Sequence, residues 1–269
     1  MVSSGSADWT PGEVAVSGGK LAYHRTGGDA PPLVLSHGLT DNGLCWTRLA
    51  EALAPDFDII MLDARGHGAS SRVGPGDIVD PVRELAEAVE ALGLTHVLVM
   101  GHSVGARASA GFAAALPDRV RALVLEDPPL VPPMAPEARA RRLQTFREQV
   151  ARFRSMTEAE LRAFGMRQSP SWDPSEFPAW AASKRQVDAE ALPHLTSDWR
   201  QDFREIRAPT LLIHGEPERG GMVSVEQARE ACALNPKLRA VRIAGAGHNV
   251  RRENFTDVLS AVRSFLAEV

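Results

Sequence analysis

The chain is poor in cysteine: only Cys45 and Cys232 occur in 269 residues. They lie far apart, and neither a Cys-rich spacing nor a His-Glu-x-x-His run accompanies them. That excludes a disulfide framework and any recognisable metal site, so both are expected to be reduced thiols in a cytoplasmic protein that needs no cofactor and no metal. A basic field is also missing. Thirty Lys and Arg stand against 34 Asp and Glu, a net charge of −4, so nucleic acid is not an expected partner. No apolar run approaches membrane-spanning length. The start, Met1 to Trp9, has neither a basic segment nor an apolar one, and it reads as a polar tail instead of a signal peptide. There is no internal repeat and no low-complexity stretch. The length suits one large α/β domain, with or without an insertion, and no membrane partner.

What is present is an alternation of short apolar runs and helical patterns. Glu13 to Val16 and Lys20 to Arg25 alternate around Ser17-Gly18-Gly19, which reads as a hairpin. Leu33 to Ser36, Asp58 to Leu62, Val97 to Met100, Arg121 to Glu126, Thr210 to His214 and Leu238 to Ile243 are short buried strands. Helical spacing lies in Gly43 to Leu53, after Pro81, after Ser103, in Val225 to Ala233 and in Asn254 to Val269. Such alternation predicts a mostly parallel sheet covered on both faces, with ligands at the C-terminal strand ends. Residues 128–205 differ. They hold Trp172, Trp180 and Trp199 of the five tryptophans, many arginines and no strand-like run. Arg139 to Phe153 and Glu158 to Phe164 have helical spacing, while Pro170, Pro174, Pro178 and Pro193 are expected to break the rest. The expectation is a core of residues 1–127 and 206–269 with a helical insertion at 128–205.

The chemistry centres on Gly101-His102-Ser103-Val104-Gly105, an apolar run that stops at a glycine and restarts as an Ala-rich helix. A serine on such a turn sits clear of its neighbours in strained backbone. A Cβ at Gly101 or Gly105 would crowd strand against helix. The helix N-terminus aims N–H groups at the serine oxygen, where negative charge develops in acyl transfer. An ordinary strand-to-helix turn also favours Gly and Ser, so the pentapeptide needs company. His248, in the loop Ala244-Gly245-Ala246-Gly247-His248-Asn249 after the last strand, is one of eight histidines and supplies it. A serine hydroxyl needs a base, and a histidine on a downstream loop can reach it. His37-Gly38 follows another strand; there the N–H of Gly38 or of Leu39 is the candidate to pair with that of Val104 as an oxyanion hole. Asp63-Ala64-Arg65-Gly66-His67-Gly68 reads as a structural turn whose charges bind loop backbone. His102 reads as packing or pocket lining.

With Ser36-His37-Gly38, Asp63 to Gly68, Gly101 to Gly105 and Gly247-His248 in hand, the chain resembles the α/β-hydrolase superfamily, over nearly its whole length outside the insertion. The resemblance implies a helical cap between the sixth and seventh strands, matching 128–205 in place and character. It also leaves two candidates for the triad acid. Most members carry it three residues after the glycine that follows the seventh strand, here Glu218. A minority place it directly after the sixth strand, here Asp127, as haloalkane dehalogenases and the zearalenone lactonase do. Asp127, next to a buried strand and stiffened by Pro128-Pro129, is the better placed of the two. The elbow serine excludes the dehalogenase and epoxide-hydrolase chemistries, which in this superfamily need an aspartate there.

The resemblance thus implies a serine hydrolase, monomer or homodimer, for an ester or lactone of a small, largely apolar molecule. Trp172, Trp180 and His102 are the candidate pocket residues, and some of Trp172, Phe177, Trp180 and Trp199 are expected above Ser103. Carbon–carbon bond hydrolysis runs on the same apparatus. A hydrolase-fold ligand-binding protein with little turnover is the alternative of another class.

Overall fold

The computed structural model describes residues 9–269. Of the expected polar start, Met1 to Ala7 and Asp8 lie outside the described residues. Trp9 does not belong to a tail: it packs against the core on one face of the sheet.

Eight strands form one sheet: β1 (Thr10–Val16), β2 (Gly19–Arg25), β3 (Pro32–Ser36), β4 (Asp58–Leu62), β5 (Val97–His102), β6 (Val120–Glu126), β7 (Thr210–His214) and β8 (Leu238–Arg242), in the order β1-β2-β4-β3-β5-β6-β7-β8. The β1–β2 and β2–β4 pairings are antiparallel and every later pairing is parallel. The helices are α1 (Thr47–Leu53), α2 (Pro81–Ala91), α3 (Val104–Ala115), α4 (Pro136–Arg154), α5 (Glu158–Gln168), α6 (Phe177–Arg185), α7 (Trp199–Glu205), α8 (Val225–Leu234), α9 (Val250–Glu253) and α10 (Phe255–Leu266). None is long and apolar enough to cross a membrane among the described residues.

The period-2 geometry of strands sends alternate residues to two cores. Val34, Val99, Leu123, Leu125 and Leu212 meet α2, α3, α7 and α8 through Leu85, Phe112, Trp199, Phe203 and Ala231. Leu33, Leu35, Met100, Val124 and Ile213 meet α1 and α10 through Leu49, Leu53, Val258 and Phe265 on the other face. Both faces of the central strands are therefore apolar, which explains the unbroken apolar runs in the sequence.

The insertion departs from the sequence reading in two places. Pro178 does not break a helix: it sits in the first turn of α6, where its missing N–H has no intrahelical partner to lose. And α7, inside the stretch 128–205, covers the sheet. Trp199 and Phe203 stack edge to face at 5.3 Å within the main core, so the segment standing off the sheet ends before residue 199. That segment has a small core of its own, Phe153, Leu161 and Ala181. It docks through Phe146, Val150, Val187 and Leu192 against Val73 and Val79.

Candidate active site

The strand order reverses at β3, which lies between β4 and β5, and Ser36 pairs in register with Gly101. The two turns that leave this switch point, His37-Gly38 and His102-Ser103, are therefore side by side. Ser103 caps α3 with φ 54° and ψ −123°, a conformation a non-glycine residue adopts at a cost of about 1–3 kcal/mol. The turn closes only because of its glycines. A Cβ on Gly101 would stand 2.6 Å from the Ala106 nitrogen, and one on Gly105 would stand 2.4 Å from the Ser36 carbonyl oxygen.

His248 Nε2 lies 3.1 Å from Ser103 Oγ, and its Nδ1 lies 2.7 Å from Asp127 Oδ2. Asp127 is fully buried, with φ 44° one residue past β6. Its carboxylate also accepts the Met222 N–H at 2.8 Å and the Val223 N–H at 3.2 Å, so the loop after β7 clamps it. Glu218, the other candidate acid, is exposed on a short helical turn and makes no hydrogen bond to His248. Glu253 holds the histidine loop from beneath, its carboxylate accepting the N–H groups of Gly247 and Asn249 at 2.5 and 3.2 Å.

His37 organises the facing turn. Its Nε2 accepts the Ala64 N–H at 2.9 Å, so Nδ1 carries the proton and donates to the Gly38 carbonyl at 2.8 Å. A trans peptide points its N–H opposite to its C=O, so this anchor directs the Leu39 N–H the other way. Gly38, Leu39, Val104 and Ser103 line one cavity of about 700 Å³ together with His102, Trp172 and Trp180. Phe177 is not on its wall but stacks behind Trp172 at 5.7 Å. Trp199 is in the sheet core, away from the cavity. His102 Nε2 donates to the His248 carbonyl at 3.0 Å, and burial, aided by Arg251 and His248, holds its pKa well below the usual value. It is a neutral brace for the His248 backbone. Asp63 accepts the N–H groups of Gly43 and Ala69, as a structural turn requires.

Sequence reasoning missed a buried ionic cluster under the cavity. Asp41 binds Lys184 at 2.6 Å and Arg252 at 3.0 Å; Arg252 also pairs with Glu176 at 3.2 Å, and Arg251 with Glu126 at 2.9 Å. Burial alone would raise the Asp41 pKa, but Arg252, Lys184 and Arg251 hold it well below the carboxylate range. The cluster joins the insertion (Glu176, Lys184) to the residues beside the acid (Glu126) and just beyond the histidine (Arg251, Arg252). Losing one member strands a buried charge, at about 3–5 kcal/mol. The nearest sequence signal is the run of charges directly after Gly247-His248-Asn249.

The buried histidines make stability depend on pH. Desolvation lowers the pKa of His37, His102 and His214, and it lowers that of His67 to about 4. In the unfolded chain these groups titrate near 6.5. As pH falls from about 6.5 toward 4, the unfolded state binds protons that the native state refuses, so stability is lost through that window. His67 alone accounts for about 3 kcal/mol at its lower end. Burial raises the carboxyl pKa of Glu84 and Glu126, which act in the opposite sense, but there are fewer of them. The melting temperature at pH 5.0 should therefore lie below that at pH 7.5 at equal ionic strength. An equal or higher value would mean that these histidines are charged or solvated in the native protein.

A family model described as the alpha/beta hydrolase fold matches residues 31–253. The 2-(acetamidomethylene)succinate hydrolase of Mesorhizobium japonicum is 27% identical over 253 residues, covering 90% of this chain and 90% of its own. The N-formylmaleamate deformylase of Pseudomonas putida is 27% identical over 266 residues, covering 95% and 96%. A crystal structure of an E-2-(acetamidomethylene)succinate hydrolase superposes with a TM-score of 0.80 at 24% identity, over 97% of this chain and all of that one, a likeness of fold.

Proposed function

The chain belongs to the α/β-hydrolase family, and from that premise we propose that it is a serine hydrolase cleaving a small carboxylic ester or lactone through an acyl-enzyme. The observation that carries this reading is the hydrogen-bonded line from Ser103 Oγ through His248 to the buried Asp127 carboxylate, at 3.1 and 2.7 Å, on the floor of a cavity. Ser103 attacks the carbonyl carbon while His248 Nε2 takes its proton. The alcohol leaves with that proton, and water then enters by the same route in reverse. The backbone N–H of Val104, at the open start of α3, and that of Leu39 or Gly38 hold the oxyanion. Asp127 keeps the His248 Nδ1 proton in place and steadies the imidazolium.

A second reading, in which the same triad cleaves a bond other than an ester, draws on the names of the two relatives above, neither of which is an ester. Carbon–carbon cleavage falls within it. A binding protein without turnover is disfavoured by an intact line of three groups with a cavity above it.

A fluorophosphonate probe tests the common core of both readings. It should label the native protein stoichiometrically on the peptide containing Ser103, and labelling should vanish in Ser103→Ala. Failure of the native protein to label would leave the serine unactivated and the hydrolase reading without support.

A further inference from the structure

The cavity over Ser103 is lined by four lysine and arginine side chains and by one carboxylate, Asp41. Two of the four cations are already neutralised. Lys184 pairs with Asp41 at 2.6 Å, and Arg107 pairs with Asp202 at 2.8 Å. Arg139 and Arg142, one turn apart on α4, are not: among the described residues neither forms an ion pair. Arg139 is nevertheless fixed in place. Its Nη1 donates to the Pro193 carbonyl at 2.9 Å and its Nη2 to the Leu192 carbonyl at 3.0 Å. Two of five N–H groups are thereby used, and three remain. The side chain is half-buried, and desolvation alone acts on its pKa, lowering it; no carboxylate pulls the other way. Arg142 is exposed at the rim. The rest of the cavity lining is largely apolar, with Trp172, Trp180, Met134 and Val131 among it, and its other polar side chains, such as Gln149, Ser169 and Ser197, are not carboxylates.

A guanidinium held by carbonyls against an apolar wall, with no anion of the protein facing it, is short of a partner. We propose that Arg139, helped by Arg142, binds a carboxylate of the substrate at a distance from the scissile bond. The substrate class is then an ester or related acyl derivative that carries a free carboxylate on an otherwise apolar body, such as a half-ester of a dicarboxylic acid. This rests on the reading of Ser103 as the nucleophile. A planar carboxylate suits the site: it can take two parallel N–H···O bonds from the three N–H groups that Arg139 has left. Arg142, at the rim, contributes mainly a salt-sensitive attraction.

The test uses two esters of equal chain length, phenyl hydrogen succinate and phenyl pentanoate, and reads binding apart from turnover. Calorimetry on Ser103→Ala should show the hemisuccinate bound roughly 10- to 100-fold more tightly than the pentanoate, as expected for a hydrogen-bonded charge pair. Arg139→Gln in that background should erase the preference while the pentanoate affinity holds within about twofold. Arg142→Gln should keep most of the preference and weaken its salt dependence. Should Arg139→Gln lose the neutral ester too, Arg139→Lys, which keeps charge and most of the stem, should retain a reduced preference. Equal binding of the two esters, a preference surviving Arg139→Gln, or an undiminished one in Arg139→Lys overturns the proposal. Turnover by the native protein separates the two readings. Hydrolysis of the pentanoate with no preference for the hemisuccinate removes the carboxylate site and leaves the hydrolase. Selective binding of the hemisuccinate with no hydrolysis of either ester keeps the site and removes the ester-cleaving reading of Ser103.

Discussion

Replacing Ser103 by alanine should lower kcat by about 10⁴- to 10⁶-fold, with the melting temperature within a few degrees of the native value. The size follows from the chemistry. Without Oγ there is no covalent intermediate, and what survives is the contribution of the oxyanion donors and of binding. The mild effect on stability follows from the structure. Ser103 Oγ makes one side-chain hydrogen bond, to His248 Nε2, while the main chain is held independently through the Ser103 N–H on the Glu126 carbonyl at 2.9 Å and the Arg107 N–H on the Ser103 carbonyl at 3.1 Å. Alanine keeps those bonds and meets the same positive φ. His248→Ala should lose as much activity, and the double variant little more than either single one, because nucleophile and base act as a unit. The measurement is kcat on one ester, normalised by active-site titration of the native enzyme. A Ser103→Ala protein retaining a tenth of native activity would mean that the strained turn serves packing alone.

That turn was legible because its causes are local. Gly101 and Gly105 are demanded by atoms within five residues or at the end of the adjacent strand, so the pattern shows in one pentapeptide. The strand alternation was legible because both cores draw on unbroken apolar runs. His248 could be read from its place after the last strand. What stayed hidden depends on distant chain. The ionic cluster pairs residues from 76 (Glu176 and Arg252) to 211 (Asp41 and Arg252) positions apart, and Arg251-Arg252 looks in sequence like a surface doublet. The face on which Trp199 and Phe203 lie is set by i, i+4 spacing, but whether that face meets the sheet or the insertion is a tertiary fact. Hence the sequence could not say that α7, within the stretch 128–205, packs on the sheet. Trp9 was mistaken for tail because a single aromatic in a polar stretch carries no periodicity. The unpaired state of Arg139 is equally invisible: many arginines crowd that segment, and only the fold shows which of them meet a carboxylate.

The two candidate acids pose the same difficulty, and they yield the second large prediction. Asp127→Asn should lower kcat by about 10⁴-fold, whereas Glu218→Gln should change it by less than about twofold. The Asp127 carboxylate accepts from three donors: the Met222 N–H, the Val223 N–H and His248 Nδ1. An asparagine has one accepting end. If its oxygen takes the Oδ2 position, its NH₂ confronts the Val223 N–H. If it flips, the NH₂ points at His248 Nδ1, which must then accept, moving the imidazole proton to Nε2 where it cannot take one from Ser103. Either arrangement leaves a buried donor unpaired, at about 1–3 kcal/mol, and the second removes the base. Backbone strain does not confuse the comparison, because asparagine tolerates the φ of 44° at this position about as well as aspartate does. Glu218 offers no such mechanism: it is exposed, and its side chain bonds to nothing in the site. Its one route to influence is the turn it shares with Pro217 and Arg219, near which the Arg219 carbonyl approaches Gly247; replacing a solvated carboxylate with an amide leaves that backbone alone. The check is kcat for both variants on one ester, with the kcat–pH profile of Asp127→Asn alongside. Loss in Glu218→Gln with activity preserved in Asp127→Asn would move the acid to the loop after β7 and make the Asp127 carboxylate a clamp for Met222 and Val223 only.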